Sequence, residues 1–234
     1  MNVTIIPAAG RGKRMVSSTS KQFLKLGDRP VLAHTLQAFE DAKMVDAVII
    51  VGTSKDLKLC QKIVTKYGIK KVIAYVIGGR RRQDSVYNGL KALPPETEYV
   101  IVHDGARPLV TPELIDRTVR AAKNKPAVTV GLPAKNTIKR VTKDDVVEYT
   151  LDRPRIFAIQ TPQVFQTHTL VIAHRIARDE NIWGTDDAML VEKTGRPVYV
   201  IRGSEENIKI TTPIDLIIAE AILAARAKKR SRKR

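Results

Sequence analysis

The sequence contains a single cysteine, Cys60, which excludes an intrachain disulfide and a zinc site built from several cysteines. No apolar run approaches the roughly 20 residues that a membrane-spanning helix needs; Asp46–Val51 is about as hydrophobic as any stretch. The amino terminus, Met1–Gly10, has no basic start and no long apolar segment, so it does not resemble a secretory signal. Together these absences predict a cytoplasmic protein with no membrane association.

Aromatic residues are also scarce, at 5% of the chain with one tryptophan. Platforms that stack the bases of single-stranded nucleic acid are built from aromatic side chains, so this composition disfavours them. Positive charge is abundant, because 41 lysines and arginines outnumber 24 aspartates and glutamates and leave a net charge of +17. Such an excess indicates an anionic partner, whether nucleic acid, a phosphorylated metabolite or an anionic membrane. With so few aromatics, small anionic substrates are the preferred interpretation.

The positive charge is densest at the carboxyl terminus, where all but two of the nine residues from Arg226 to Arg234 are basic. A run of this kind is most often a solvated end of the chain. We therefore predict a single domain over residues 1–226 and a basic, disordered tail over 227–234. A nucleic-acid-binding protein that uses this tail is the alternative from another functional class.

Short apolar runs alternate with helical patterns along the chain. Four runs rich in β-branched residues predict strands buried on both faces, at Val3–Ile6, Ala47–Val51, Val72–Ile77 and Tyr99–His103. Thr111 followed by Pro112 predicts the start of a helix, and Thr212–Asp215 predicts another, with a buried apolar stripe from Ile214 to Ala225. This alternation predicts an α/β fold, a Rossmann-like and mostly parallel twisted sheet with helices on both faces.

One segment departs from this alternation. Residues 137–141 and 146–151 alternate apolar with polar side chains and flank a plausible turn at 142–145. They predict an inserted β-hairpin, an arm over about residues 135–155. A hairpin of this kind either packs on a second subunit or forms an edge of its own sheet, and the sequence leaves both open.

Glycines and basic residues follow the first and third predicted strands. In a parallel sheet, ligands bind at the carboxyl ends of the strands. The first loop, Pro7–Met15, combines Gly10 and Gly12 with three basic side chains, and the third strand leads into Gly78–Ser85 with three consecutive arginines. Small residues let backbone N–H groups approach phosphate oxygens. The alternatives are an ordinary glycine turn and a solvated charge run.

The segment after the fourth strand, His103–Pro108, contains an aspartate and an arginine. Asp104 at a strand end suits a carboxylate that holds a divalent metal such as Mg²⁺. Alternatively, Asp104 and Arg107 form a pair that shapes a turn. His103 is interpreted as a buried histidine rather than a catalytic base.

Taken together, these motifs and several later fragments resemble the 2-C-methyl-D-erythritol 4-phosphate cytidylyltransferase family of the non-mevalonate isoprenoid pathway. The resemblance covers residues 1–226. It is carried by Ala8–Met15, Lys21-Gln22-Phe23, Gly78-Gly79 with Arg82 and Ser85, His103–Pro108, Asp152-Arg153, Thr161-Pro162-Gln163, Thr185-Asp186 and Asn207-Ile208-Lys209.

The resemblance implies transfer of CMP from CTP to a phosphorylated sugar alcohol, with release of pyrophosphate and a need for Mg²⁺ or another divalent cation. It implies that nucleotide-binding residues are Ala8, Ala9, Gly10, Gly12, Gly79, Arg82 and Ser85. The implied catalytic residues are Arg14, Lys21, Asp104 and Lys209, with Asp104 also the metal ligand. The implied substrate-binding residues are Arg107, Thr137, Arg153, Thr161 and Thr185.

The resemblance also implies a homodimer in which the hairpin arm brings Thr137 and Arg153 into the partner's site. A sister enzyme that acts on ribitol 5-phosphate is the nearest alternative within the same class. The residues Ala8-Ala9-Gly10 and the pair Thr185-Asp186 favour methylerythritol phosphate over ribitol phosphate.

Overall fold

The computed structural model describes residues 1–8 and 20–231. Within them the strands are β1 Asn2–Pro7, β2 Lys25–Leu26, β3 Arg29–Pro30, β4 Ala47–Gly52, β5 Val72–Ile77, β6 Tyr99–Val102, β7 Ala127–Pro133, β8 Lys139–Val141, β9 Val147–Thr150, β10 Phe157–Gln166 and β11 Tyr199–Arg202. The helices are α1 Val31–Asp41, α2 Ser54–Tyr67, α3 Arg82–Leu90, α4 Pro112–Ala122, α5 Thr167–Asp179, α6 Asp187–Lys193 and α7 Pro213–Ser231. Short 3₁₀ helices cover Lys21–Phe23 and Arg153–Arg155.

The main sheet has the strand order β11-β7-β10-β6-β1-β4-β5. Its strands pair in parallel except for β10, which runs antiparallel to both of its neighbours, β6 and β7. Helices cover both faces, so the side chains of successive strand residues enter different cores. Ile49 packs in the core beside α3 and α5, whereas Ile50 packs in the core beside α1 and α4. The predicted α/β class is confirmed.

One predicted strand differs from its expected burial. Strand β5 was predicted to be buried on both faces, but it lies at the edge of the sheet, and Ile73 and Ile77 are 51% and 53% exposed. A β-branched run indicates a strand but does not reveal how many neighbours that strand has. The start of α4 is as predicted, because the Thr111 side chain accepts from the Leu114 N–H and Pro112 follows it.

Most of the apolar stripe predicted for α7 faces outward instead of inward. Ile214, Ile217 and Ile218 are 56%, 63% and 43% exposed, and the core contacts come mainly from other positions of the helix, such as Leu216 and Ala219. Ile222 is the member of the predicted stripe that packs against the core. The helix carries apolar residues around most of its circumference, so its periodicity does not select one face. Polar anchors select it, since the Arg226 guanidinium donates to the Leu109 carbonyl at 2.8 Å and to Glu206 at 2.7 Å.

Part of the segment predicted to be a basic, disordered tail lies in helix α7. Helix α7 continues through Ser231, and residues 232–234 lie outside the described chain. Alanine, lysine and arginine are strong helix formers, and positive charge near a helix carboxyl end is favourable, so the helix extends into the basic run.

The predicted hairpin arm is present as an isolated element. Strands β8 and β9 form their own antiparallel two-stranded sheet, with Lys139 opposite Thr150, and no described strand joins it to the main sheet. Every residue of both strands is exposed. The arm is therefore not an edge of the main sheet. None of the described helices is both long enough and apolar enough to cross a membrane.

Candidate active site

A cavity of about 440 Å³ opens at the carboxyl edge of the main sheet. Its walls come from segments that follow β1, β4, β5 and β6, as the rule for ligand sites in parallel sheets requires. The described lining residues are Pro7, Lys21, Gln22, Thr53, Gly79, Arg80, Arg81, Arg82, Ser85, Asp104, Gly105, Ala106 and Lys209. Of the predicted site residues, the structure thus brings Lys21, Gly79, Arg82, Ser85, Asp104 and Lys209 together around one space.

A hydrogen bond from Gln22 places Lys21 in the cavity wall. The Gln22 side-chain amide donates to the Ala8 carbonyl, and the Ala8 N–H donates to the Val51 carbonyl at 2.7 Å. The short helix that contains Lys21 is therefore tied to the ends of β1 and β4. Gln22 and Thr53 were not predicted as site residues. Thr53 directly follows β4, so the general position of ligand sites at the carboxyl ends of parallel strands could have indicated it.

The turn between β5 and α3 is organised by the Ser85 hydroxyl. This hydroxyl accepts from the Gly79 N–H at 3.1 Å and donates to the Arg81 carbonyl at 3.0 Å. A Cβ atom on Gly79 would lie 2.2 Å from the Cβ of Asp84. Only glycine fits this position without displacement of the backbone, so Gly79 and Ser85 shape the wall together.

Asp104 is held by cationic side chains on both of its oxygens. Its Oδ1 accepts from Arg82 Nε at 3.0 Å, and its Oδ2 accepts from Lys209 Nζ at 2.7 Å, with Arg107 Nε at 3.8 Å. Burial by itself raises the pKa of the Asp104 carboxyl, but Arg82 and Lys209 outweigh it and hold this pKa well below its ordinary value. Asp104 is therefore an anion that fixes the positions of cations in the wall.

Thr161 and His103 form hydrogen bonds that hold the Asp104 backbone in place. The Thr161 hydroxyl accepts from the Asp104 N–H at 3.1 Å and lies 3.0 Å from His103 Nδ1, while His103 Nε2 lies 3.3 Å from the Arg107 carbonyl. Since a carbonyl only accepts, Nε2 carries the proton and Nδ1 accepts from Thr161. Burial lowers the pKa of His103 to about 3, in agreement with the expected buried, neutral histidine.

Arg107 and Asn207 form a second support, next to Lys209. Arg107 is 9% exposed, and it donates to the Asn207 carbonyl at 2.9 Å; Asn207 donates in turn to the Thr161 carbonyl at 2.8 Å. Burial lowers the pKa of the Arg107 guanidinium. Arg107 and Thr161, predicted to bind substrate, are thus bonded to the protein next to Asp104: Arg107 NH1 donates to the Asn207 carbonyl, and the Thr161 hydroxyl accepts from the Asp104 N–H.

Arg82 joins Asp104 to a second buried carboxylate. Its NH1 lies 2.6 Å from Asp187 Oδ2, and the other Asp187 oxygen accepts from His174 Nε2 at 3.0 Å. Burial by itself raises the pKa of Asp187, and Arg82 followed by the His174 hydrogen bond lowers it below its ordinary value. The sequence patterns assigned no role to His174 or to Asp187, although Asp187 adjoins the Thr185-Asp186 motif.

The predicted role of Asp104 as a metal ligand stays a prediction. In this structure both of its oxygens accept from cationic side chains, Oδ1 from Arg82 and Oδ2 from Lys209. No cluster of three or more histidine, cysteine, aspartate or glutamate side chains suited to a metal occurs within residues 1–8 and 20–231.

Several predicted site residues do not line the described walls of the cavity. Thr137, Arg153 and Thr185 are all exposed; Arg153 donates to the Lys135 carbonyl at 3.3 Å. The loop before Thr185 is tied to α3, because the Gln83 side chain bonds the Ile182 carbonyl at 3.1 Å and the Gly184 N–H at 3.0 Å. The predicted residues Ala9, Gly10, Gly12 and Arg14 lie outside the described residues.

A cation-lined cavity at the carboxyl edge of a mostly parallel α/β sheet is typical of proteins that bind phosphorylated ligands such as nucleotides. The model of the family 2-C-methyl-D-erythritol 4-phosphate cytidylyltransferase matches residues 2–225, so the chain belongs to this family and is a nucleotidyltransferase.

Individual relatives agree with this assignment. The chain is 48% identical over 223 residues to the 2-C-methyl-D-erythritol 4-phosphate cytidylyltransferase of Pelotomaculum thermopropionicum, covering 95% of this chain and 94% of the relative. It is 44% identical over 225 residues to that of Desulforamulus reducens, with 96% of each covered. The crystal structure of 4-diphosphocytidyl-2C-methyl-D-erythritol synthase from Anaerococcus prevotii superposes with a TM-score of 0.85 at 33% identity, covering 95% and 96% of the two chains.

Proposed function

We propose that the protein transfers CMP from CTP to 2-C-methyl-D-erythritol 4-phosphate and releases pyrophosphate, a step in isoprenoid precursor synthesis. Membership of the cytidylyltransferase family supports this reaction over ribitol phosphate transfer and over nucleic-acid binding. The observation that carries the proposal is the convergence of Lys21, Arg82 and Lys209 on one cavity at the sheet edge. The proposal includes a cytoplasmic location, where CTP is available.

The reaction needs no covalent enzyme intermediate. An oxygen of the sugar's phosphate attacks the α-phosphorus of CTP in line, the bond between the α-phosphorus and the bridging oxygen breaks, and pyrophosphate leaves. Two anions repel each other as they approach, so the site must supply positive charge and fixed geometry. Lys21, which follows β1, and Lys209, whose ammonium is fixed by Asp104, both supply this charge from the cavity wall.

Mg²⁺ or another divalent cation remains part of the proposal as a partner of the triphosphate. Phosphate oxygens are preferred ligands of Mg²⁺, which usually retains several waters. Because Asp104 is already engaged by Arg82 and Lys209, we assign it the task of holding these cations.

The direct test is pyrophosphate release with each of the four ribonucleoside triphosphates, assayed separately with methylerythritol phosphate and with ribitol 5-phosphate. We expect release with CTP and methylerythritol phosphate, and at least about tenfold less with any other combination, the size of discrimination that lost polar contacts bring. A preference for ribitol 5-phosphate would replace the proposed acceptor with the alternative. Absence of release from all pairs would refute catalysis.

Gly79→Ala is expected to lower kcat/KM for CTP by about tenfold or more. The added methyl group meets the Asp84 Cβ at 2.2 Å, so the turn that carries Arg80–Arg82 must move, and small displacements in a site of this kind are costly. Gly131→Ala is the matched control, because its methyl group would meet the ends of the Ile159 and Val200 side chains, at 3.0 Å and 3.3 Å, and would lie at an ordinary 3.5 Å from the Ala158 carbonyl oxygen. Equal kinetics for the two variants would contradict the role of the turn.

We further propose that the protein is a homodimer joined through the hairpin arm. The arm is an isolated two-stranded element, and such hairpins are at best marginally stable without further packing. It also exposes Val141, Val146, Val147 and Tyr149 by 48%, 61%, 52% and 47%. A second copy that covers these side chains would explain both features, and it would bring Thr137 and Arg153 to the partner's cavity.

Mixing two inactive variants tests the shared site. In a mixed dimer of Lys21→Ala with Arg153→Ala, one site carries both changes and the other site carries neither. About half of the dimers in a re-equilibrated equimolar mixture are mixed, and each has one intact site. The mixture should therefore recover about a quarter of wild-type activity. A mixture of Lys21→Ala with Lys209→Ala is the control, since each cavity then carries one change and no recovery is expected. No recovery in the first mixture, or a monomer by light scattering, would contradict the proposal.

A further inference from the structure

A line of polar groups leads from the cavity into the body of the protein. It begins at Lys209 and Asp104 in the cavity wall, continues through Arg82 to Asp187, and ends at His174. The successive contacts are 2.7, 3.0, 2.6 and 3.0 Å. The line therefore connects the cavity with α5 and α6, neither of which contributes a residue to its described walls.

The inner half of this line is fully removed from solvent. The side chains of His174 and Asp187 are 0% and 1% exposed. Burial of a charged pair is weak evidence for stability, because loss of hydration opposes the attraction and apolar side chains of similar size often serve as well. The presence of a carboxylate and an imidazole here is therefore better explained by what they hold in place.

The hydrogen bonds of His174 point to a single task. The Asp187 carboxylate only accepts, so His174 Nε2 carries the proton and donates it. The other ring nitrogen, Nδ1, is buried and has no hydrogen-bond partner in the described structure. The imidazole stacks on Tyr87 with ring centroids 6.2 Å apart. The hydrogen bond to Asp187 is thus the one described polar interaction of the His174 side chain.

Asp187 in turn fixes Arg82 from the side opposite Asp104. One guanidinium carries two ion pairs, through Nε to Asp104 and through NH1 to Asp187, so the Arg82 fork is clamped between two carboxylates. Arg82 holds Oδ1 of Asp104, and this leaves Oδ2 aimed at the Lys209 ammonium. The position of Lys209 therefore depends on groups that lie outside the cavity.

We propose that Asp187 and His174 are positioning residues for cytidylyl transfer, which hold Arg82 and through it the Asp104–Lys209 pair in reactive geometry. This inference rests on the proposed function. It predicts that their loss impairs the chemical step and the acceptor side, whereas CTP binding beside Lys21 is affected less.

Kinetics of four variants provide the first test. Asp187→Asn keeps the shape but removes the charge, and we expect kcat to fall about 10- to 100-fold while KM for CTP changes less than about threefold, as displaced catalytic groups do. His174→Phe keeps the ring but removes the donor, and a smaller loss in kcat is expected. His174→Gln can place an amide N–H at the position of the imidazole Nε2, so this variant should retain most of the wild-type kcat. Asp116→Asn is the control, because it removes a buried carboxylate that bonds the Lys43 and Met44 N–H groups away from the cavity.

Crystal structures of the same variants provide a readout that is independent of turnover. The Arg82–Asp104 contact should be lost in Asp187→Asn and retained in Asp116→Asn. The inference is overturned if Arg82 keeps its contact at about 3 Å, within the ordinary hydrogen-bond range, in Asp187→Asn. It is equally overturned if Asp187→Asn and Asp116→Asn have the same kcat. Inactivity of the wild-type protein with CTP and methylerythritol phosphate would refute the proposed function instead, and the crystallographic comparison would still decide the positioning role.

Discussion

Lys21→Ala is expected to lower kcat by about two to three decades, the usual result when one donor that stabilises developing charge is removed. Lys21 lies in the cavity wall on a short helix tied to the end of β1. In the proposed reaction its ammonium stabilises charge on the transferring phosphorus and the departing pyrophosphate. The same loss is expected for Arg14→Ala, from the family resemblance alone.

Lys25→Ala provides the control for Lys21→Ala. Lys25 is exposed on β2, four residues further along the chain and outside the described lining of the cavity, so its removal changes the protein's charge equally. We expect its turnover to stay within about twofold of wild type, since distant exposed charges are largely screened. Pyrophosphate release under saturating substrates measures both variants. Unchanged turnover in Lys21→Ala would remove this residue from the mechanism.

Asp104→Ala is expected to lower the free energy of unfolding by about 3–5 kcal/mol, because removal of one partner from a buried ion pair leaves charge uncompensated. The Asp104 carboxylate pairs with Arg82, Lys209 and, at 3.8 Å, Arg107. Urea unfolding monitored by circular dichroism measures the change. Asp116→Ala is the comparison, with a loss of about 1–3 kcal/mol, because its carboxylate accepts only backbone N–H groups.

The same variant should respond differently to acid. The folded pKa of Asp104 lies below its unfolded value, so its contribution is fully present above the ordinary aspartate pKa near 4 and is lost as the pH falls below it. Wild-type stability should therefore decline more steeply below about pH 4 than that of Asp104→Ala. Parallel acid profiles for the two proteins would contradict the ion-pair assignment.

Much of the fold was accessible from local patterns. Buried parallel strands need apolar residues on both faces, so runs such as 47–51 and 99–103 are recognisable without their neighbours. Helix starts are similarly local, since Thr111 caps α4 through atoms three residues away. Because ligands meet parallel sheets at the carboxyl edge, the order of strands and loops also predicted that residues near 21, 79 and 104 would share one cavity.

The orientation of α7 was beyond such patterns. Isoleucines that look like a core stripe are exposed, because a helix with apolar residues around most of its circumference can pack through either side. The side of α7 that faces the core is selected by the hydrogen bonds of Arg226 to Leu109 and Glu206, which are distant in sequence.

The sequence by itself determined the alternation of strands and helices, the arm, and which loops carry the phosphate-directed residues, because each of these depends on neighbours within a few positions. Only the tertiary structure decided that Asp104 holds cations instead of standing free, and that Asp187 and His174 belong to the site. Arg82 and Asp187 are 105 residues apart along the chain, and a contact between two side chains so far apart exists only once the sheet and its helices have assembled.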